Sequence, residues 1–134
     1  MCRTRRAVYT NEVKVHLVET LPENVQRAVR SALEKNAFDI VVLFLGDSQT
    51  FTDYFVLCSA RSTRQVRAIV DEIHQQFRSS QEKSMHVEGY DHGEWVLVDF
   101  FDFVVHVFTP DTRHFYDLER LWGNATRIQV PDDK

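Results

Sequence analysis

The stretch from His86 to Phe108 constrains the fold of this chain more than any other. Three β-type segments, His86–Tyr90, Glu94–Asp99 and Val104–Phe108, are separated only by turns at Asp91-His92-Gly93 and Phe101-Asp102. Connections this short join antiparallel neighbours, because parallel strands need a crossover of a dozen or more residues. The stretch therefore predicts a meander of strands three to five. It is also dense in carboxylates, histidines and aromatics: between His86 and Glu119 there are eight acidic residues and one basic residue, Arg113.

The segments before the meander supply helices to cover a sheet. Thr20 and Glu23 read as a capping box, with Pro22 in the first turn, for a helix whose apolar positions are Val25, Ala28, Val29, Ala32 and Leu33. Two strands follow, Phe38–Leu45 and Asp53–Ala60, joined through Gly46-Asp47-Ser48. Ser62 and Gln65 form a second capping box. Val66, Ile69, Val70, Ile73 and Phe77 then recur at spacings of three and four, one apolar stripe of a crossover helix. Gln81–Ser84 links that helix to the third strand. Pro110 after Thr109 opens a last helix carrying Phe115, Leu118, Leu121 and Trp122, which Gly123 stops. The prediction is an α/β fold: a five-stranded mixed sheet flanked by helices, an α/β sandwich. Residues 1–20 read as an extension, with an alternating Val13–Val18 stretch suited to an edge strand. Residues 21–123 form the domain, and residues 124–134 a polar tail.

A chain of 134 residues with 43% apolar content has the length and composition for one globular core. Its longest apolar runs, Ile40–Leu45 and Tyr54–Cys58, are far too short to span a membrane. No secretory leader is recognisable, and Glu12 and Glu19 interrupt a mitochondrial presequence pattern. Two cysteines make no disulfide framework, and Cys58 in an apolar strand reads as a buried thiol. A reducing compartment fits, with the bacterial cytoplasm preferred to mitochondrion or plastid. The net charge of −4 disfavours direct nucleic-acid binding. Its distribution is uneven, +3 over residues 1–35 and −7 over residues 36–134, which suits steering of a basic partner.

Catalytic readings find little to stand on. His86, His92, His106 and His114 lie near Asp99 and Asp102, yet no pair has compact metal-ligand spacing, so neither metal nor cofactor is expected. Asp99 and Asp102 flank a turn and would suit paired-carboxylate chemistry, a metal-dependent nucleotidyl transfer for example, but no Gly-rich phosphate loop opens a helix. The turn reading has Asp102 hydrogen-bonding its own backbone. Ser48, Ser59 and Ser62 sit in no nucleophile elbow, and Cys58 has no activating cation nearby in sequence. His106, between Val105 and Val107, reads as internal support. An interaction surface is the better account. On the fourth strand Trp95, Leu97 and Asp99 point one way, and Val96 and Val98 the other. If the Trp95 face is open, it offers an aromatic, an aliphatic and a carboxylate in a row, with Tyr116 near; if helices cover it, Trp95 is plain core.

Six blocks in order give this pattern a family resemblance: Phe51-Thr52-Asp53-Tyr54-Phe55-Val56; Arg64-Gln65-Val66; His86-Val87-Glu88-Gly89-Tyr90; Trp95-Val96-Leu97-Val98-Asp99; Val104-Val105-His106-Val107-Phe108; and Phe115 through Trp122. Over about residues 22–127 the chain resembles the ribosomal silencing factors, RsfS or Iojap. The resemblance implies a nucleotidyltransferase-like sandwich without catalytic residues, in a factor that is not an enzyme and is often dimeric. It implies docking on the large ribosomal subunit through the universal large-subunit ribosomal protein number fourteen. That docking blocks small-subunit joining, represses translation and is linked to large-subunit maturation. Carried over, the partner-facing positions are Trp95, Leu97, Asp99 and Tyr116, then Arg113 and Glu119. The chain departs from the family pattern at Cys58-Ser59-Ala60-Arg61, where a Gly is usual, and in its N-terminal extension.

Overall fold

In strand β5, Phe103–Phe108, every residue is buried, which requires cover on both faces of a central strand. A computed structural model shows how that cover is divided. It describes residues 18–46, 52–78, 86–123 and 125–131. The strands are β1 (Phe38–Phe44), β2 (Tyr54–Ser59), β3 (His86–Glu88), β4 (Trp95–Asp99), β5, and β6 (Thr126–Gln129). They form one mixed sheet in the order β3-β4-β5-β2-β1-β6, in which β2 and β5 run parallel and the other pairs antiparallel.

Helices α1 (Glu23–Glu34) and α2 (Thr63–Gln76) cover one face. Their apolar stripes meet Ile40, Val42, Val56, Cys58, Val96, Val98, Val105 and Val107, the alternate residues of four strands. The second face is lined by Val41, Leu43, Phe55, Leu57, Val104 and Phe108. Among the described residues, a short C-terminal segment comprising α3 (Pro110–Tyr116), α4 (Leu118–Leu121) and the residues just after it lies over this face, through Leu118, Trp122 and Ala125.

The Ser62 cap forms as expected. Ser62 Oγ accepts from the Gln65 N–H at 3.1 Å, and Gln65 Oε1 accepts from the Arg61 N–H at 2.7 Å, one residue ahead of the usual capping box. Gln65 Nε2 also donates to the Lys35 and Asn36 carbonyls, both at 3.0 Å, which ties the start of α2 to the end of α1.

Three sequence expectations are corrected. The sheet has six strands, not five: the stretch read as a polar tail supplies β6, paired with β1 through Ile128 and its neighbours. The N-cap of α1 is Pro22 rather than Thr20, and Glu23 pairs with Arg27 at 2.8 Å and Arg30 at 3.0 Å. The last helix is broken at Asp117, which is left-handed at φ 49°. The break resets the helical phase. Leu118 and Trp122 face the sheet, while Phe115 and Leu121, placed with them on one helix, are 78% and 73% exposed. The Gly46-Asp47-Ser48 turn past Gly46, the Gln81–Ser84 link and the Val13–Leu17 alternation lie outside the described residues.

Candidate functional site

Strand alternation places Trp95, Leu97 and Asp99 on the incompletely covered face and sends Val96 and Val98 into the helix-covered core. Trp95 and Leu97 are half-buried there, between pure core and free surface. The Trp95 ring stacks on Phe108 at 5.2 Å between centroids and meets Tyr116 of α3 at 4.7 Å. Phe115 stands edge-on to Tyr116 at 5.0 Å and continues the aromatic surface outward. A shallow hollow of about 230 Å³ opens beside this row, lined by Glu88, Gly89, Trp95 and Leu97. Glu88 is the register partner of Leu97, and its carboxylate accepts from His86 Nε2 at 2.8 Å. The row thus combines an aromatic anchor, an aliphatic side chain and an adjacent acid. A larger cleft, about 550 Å³, lies between α1 and α2 on the opposite face, lined by charged and polar side chains such as Arg27, Arg30 and Glu72.

The turn before β4 fixes how Trp95 is presented. Gly89 and Gly93 both hold positive φ, at 87° and 73°, and the Gly93 N–H donates to the Gly89 carbonyl at 3.0 Å. A Cβ on Gly89 would collide with the Trp95 carbonyl. Tyr90 Oη donates to Asp71 of α2 at 2.8 Å and Arg67 donates to the Asp91 carbonyl at 3.3 Å, anchoring the turn to the helix.

Behind the row, His106 is buried, and its Nδ1 accepts from Trp95 Nε1 at 3.1 Å. Burial pushes the imidazole down to about pKa 4, so the ring is neutral near pH 7. Cys58, fully buried in β2, is pushed up to about 12 by burial and is not a thiolate.

Asp99 is half-buried, and its Oδ1 accepts from the Phe101 N–H at 2.8 Å. This corrects the turn reading: Asp99, not Asp102, supports the turn with its side chain, while the Asp102 N–H closes a γ-turn onto the Phe100 carbonyl at 3.0 Å. Phe101 at the tip has φ 81° and is 77% exposed.

Arg113 and Glu119 lie in a different constellation. Arg113 donates to the Asp39 carbonyl at 2.6 Å, to Ser59 Oγ at 2.8 Å, and to both carboxylate oxygens of Glu119 at 3.2 and 3.0 Å. Arg127 of β6 adds a bond to Glu119 at 3.1 Å. Burial alone would raise the Glu119 pKa; the two guanidiniums outweigh it and hold the carboxyl below its usual range. These charges engage one another and fasten α3 to the sheet at the left-handed Asp39.

Sequence reasoning placed Trp95, Leu97 and Tyr116 as candidates, and the structure brings these three together. It missed Glu88, whose position opposite Leu97 needs the strand register, and Phe115, whose exposure follows from the break at Asp117. Among the described residues, no three His, Cys, Asp or Glu side chains are arranged to hold a metal ion. No described helix is long and apolar enough to cross a membrane.

Fold and face together define a small α/β domain with an aromatic sheet surface that its described helices leave partly uncovered. The family model "Ribosomal silencing factor during starvation" matches residues 18–134. A ribosomal silencing factor RsfS of Bacillus subtilis is 44% identical over 92 residues, 69% of this chain and 78% of that protein. The RsfS of Halalkalibacterium halodurans is 36% identical over 108 residues, 81% of this chain and 92% of that one. A crystal structure of a Chromobacterium violaceum protein superposes with a TM-score of 0.72 at 31% identity, covering 75% of this chain and 84% of that one. The chain belongs to the RsfS/Iojap ribosomal silencing factor family. It is a non-enzymatic factor, and the nucleotidyl-transfer reading of Asp99 and Asp102 falls with that assignment.

Proposed function

We propose that this chain docks on the large ribosomal subunit and prevents the small subunit from joining. The observation that carries this reading is the half-buried Trp95, in ring contact with Phe108 and Tyr116 and bordered by Leu97 and Glu88. Aromatic anchors of this kind dominate protein interfaces, and the surrounding acids complement a basic ribosomal protein. The partner is the universal large-subunit protein number fourteen, met by Trp95, Leu97 and Tyr116, with Asp99 shaping the end of the row. Silencing is steric: one surface cannot hold the factor and the small subunit at once. Bacterial relatives support a cytoplasmic site of action. The same face is available for self-pairing in the free protein, in competition with the ribosome.

The test is a photo-crosslinking residue in place of Leu97, irradiated with isolated large subunits. The expected adduct is to protein fourteen. A reproducible adduct to another protein or to ribosomal RNA would overturn the assignment, and light scattering of the free factor measures the competing dimer.

A further inference from the structure

We infer that His106 is a positioning residue: its imidazole fixes the Trp95 indole in the orientation that the docking row presents, rather than strengthening the core. The inference rests on the docking reading above and goes on to name what orients the anchor.

His106 occupies an apolar slot. Its register partners are Leu97 on β4 and Leu57 on β2, and its chain neighbours Val105 and Val107 face the opposite core. It is the one polar residue of β5, with 3% of its surface exposed. A Leu or Phe would suit such a position. The bond from Trp95 occupies Nδ1, so the neutral ring carries its proton on Nε2. That nitrogen is buried without a hydrogen-bond partner among the described residues. An orphaned buried N–H costs more than one ordinary hydrogen bond returns. Stability therefore does not account for a histidine here.

Geometry does. Phe108 stacks on the Trp95 ring and Tyr116 meets it at a tilt, but ring contacts allow sliding and rotation within the plane. The directional bond to Nδ1 removes that freedom and turns the pyrrole edge inward to β5. It also engages the indole N–H, so the partner meets an apolar ring with no free donor. A preorganised anchor loses less freedom on binding.

The test compares wild type, His106→Leu and His106→Asn, the last keeping an acceptor at the δ position. Denaturant unfolding, the Trp95 indole N–H resonance (assigned by its loss in Trp95→Phe) and binding to isolated large subunits are measured together. For His106→Leu the expected result is unchanged or higher stability, a shifted indole resonance with faster exchange, and affinity down about ten-fold. His106→Asn recovers part of both the resonance and the affinity. The inference is overturned if His106→Leu is destabilised with its indole resonance in place, or if the resonance moves and affinity stays within about two-fold. Wild type failing to bind subunits would instead overturn the docking reading, and the positioning role with it.

Discussion

Replacing Arg113 with Ala tests how the docking face is assembled. Helix α3 buries none of its residues, so apolar packing of its own does little to hold it on the sheet. Arg113 is the main fastening, with its side chain only 11% exposed and Glu119 at 21%. The substitution removes four donor contacts and leaves Glu119 with Arg127 alone. Hydrogen bonds to charged groups contribute about 1.5–3 kcal/mol each but are not additive within one network. Breaking a buried pair from one side costs about 3–5 kcal/mol, and the remaining Arg127 contact lowers that figure. The expected loss is about 3 kcal/mol, which for a domain of this size lowers Tm by about 10 °C. Guanidinium unfolding with an unchanged m-value measures it, and Arg127→Ala, half-exposed, is the control at under about 1 kcal/mol. The loosened α3 also withdraws Tyr116 from Trp95, so subunit binding weakens. Equal losses for the two arginines, or a loss below about 1 kcal/mol for Arg113→Ala, would show that Arg113 is not the fastening of α3.

Gly89→Ala forces a side chain into a positive-φ position and against the Trp95 carbonyl, so it should destabilise by about 1–3 kcal/mol in thermal melts, with the Trp95 emission spectrum altered. Phe101→Gly relieves the strained γ-turn and should stabilise by about 1 kcal/mol in denaturant titrations, since the lost ring is mostly exposed. For His106 the folded pKa of about 4 lies below the ordinary 6.5, so between those values the unfolded chain binds the proton that the folded chain refuses. Stability should therefore be constant from this source above pH 6.5 and decline by about 3 kcal/mol toward pH 4, and the decline should flatten in His106→Leu.

The central strands, α2 with its Ser62 cap and the Trp95–Leu97 alternation were legible because each rests on local periodicity or on a cap within four residues. β6 was not: Thr126-Arg127-Ile128-Gln129 contains a single apolar residue, enough for an edge strand with one partner but too little for a pattern. The break at Asp117 left no Gly or Pro as a signal, and it decides which aromatics of the C-terminal segment face outward. The bond from Trp95 to His106 is diagonal across β4 and β5, where Trp95 stands opposite Phe108 and His106 opposite Leu97. Only the register exposes it. Arg113 and Asp39, whose carbonyl it binds, are likewise distant in sequence, so Arg113 and Glu119 read from sequence as weaker partner-facing positions rather than as an internal fastening.

Subunit joining itself gives the most direct measurement. Large and small subunits are mixed with saturating wild-type factor or with Trp95→Ala, shown folded by circular dichroism, and the joined particles are quantified by sedimentation. Wild type is expected to suppress joining, and Trp95→Ala to restore most of it. Undiminished joining with wild type, or equal suppression by both proteins, would contradict it.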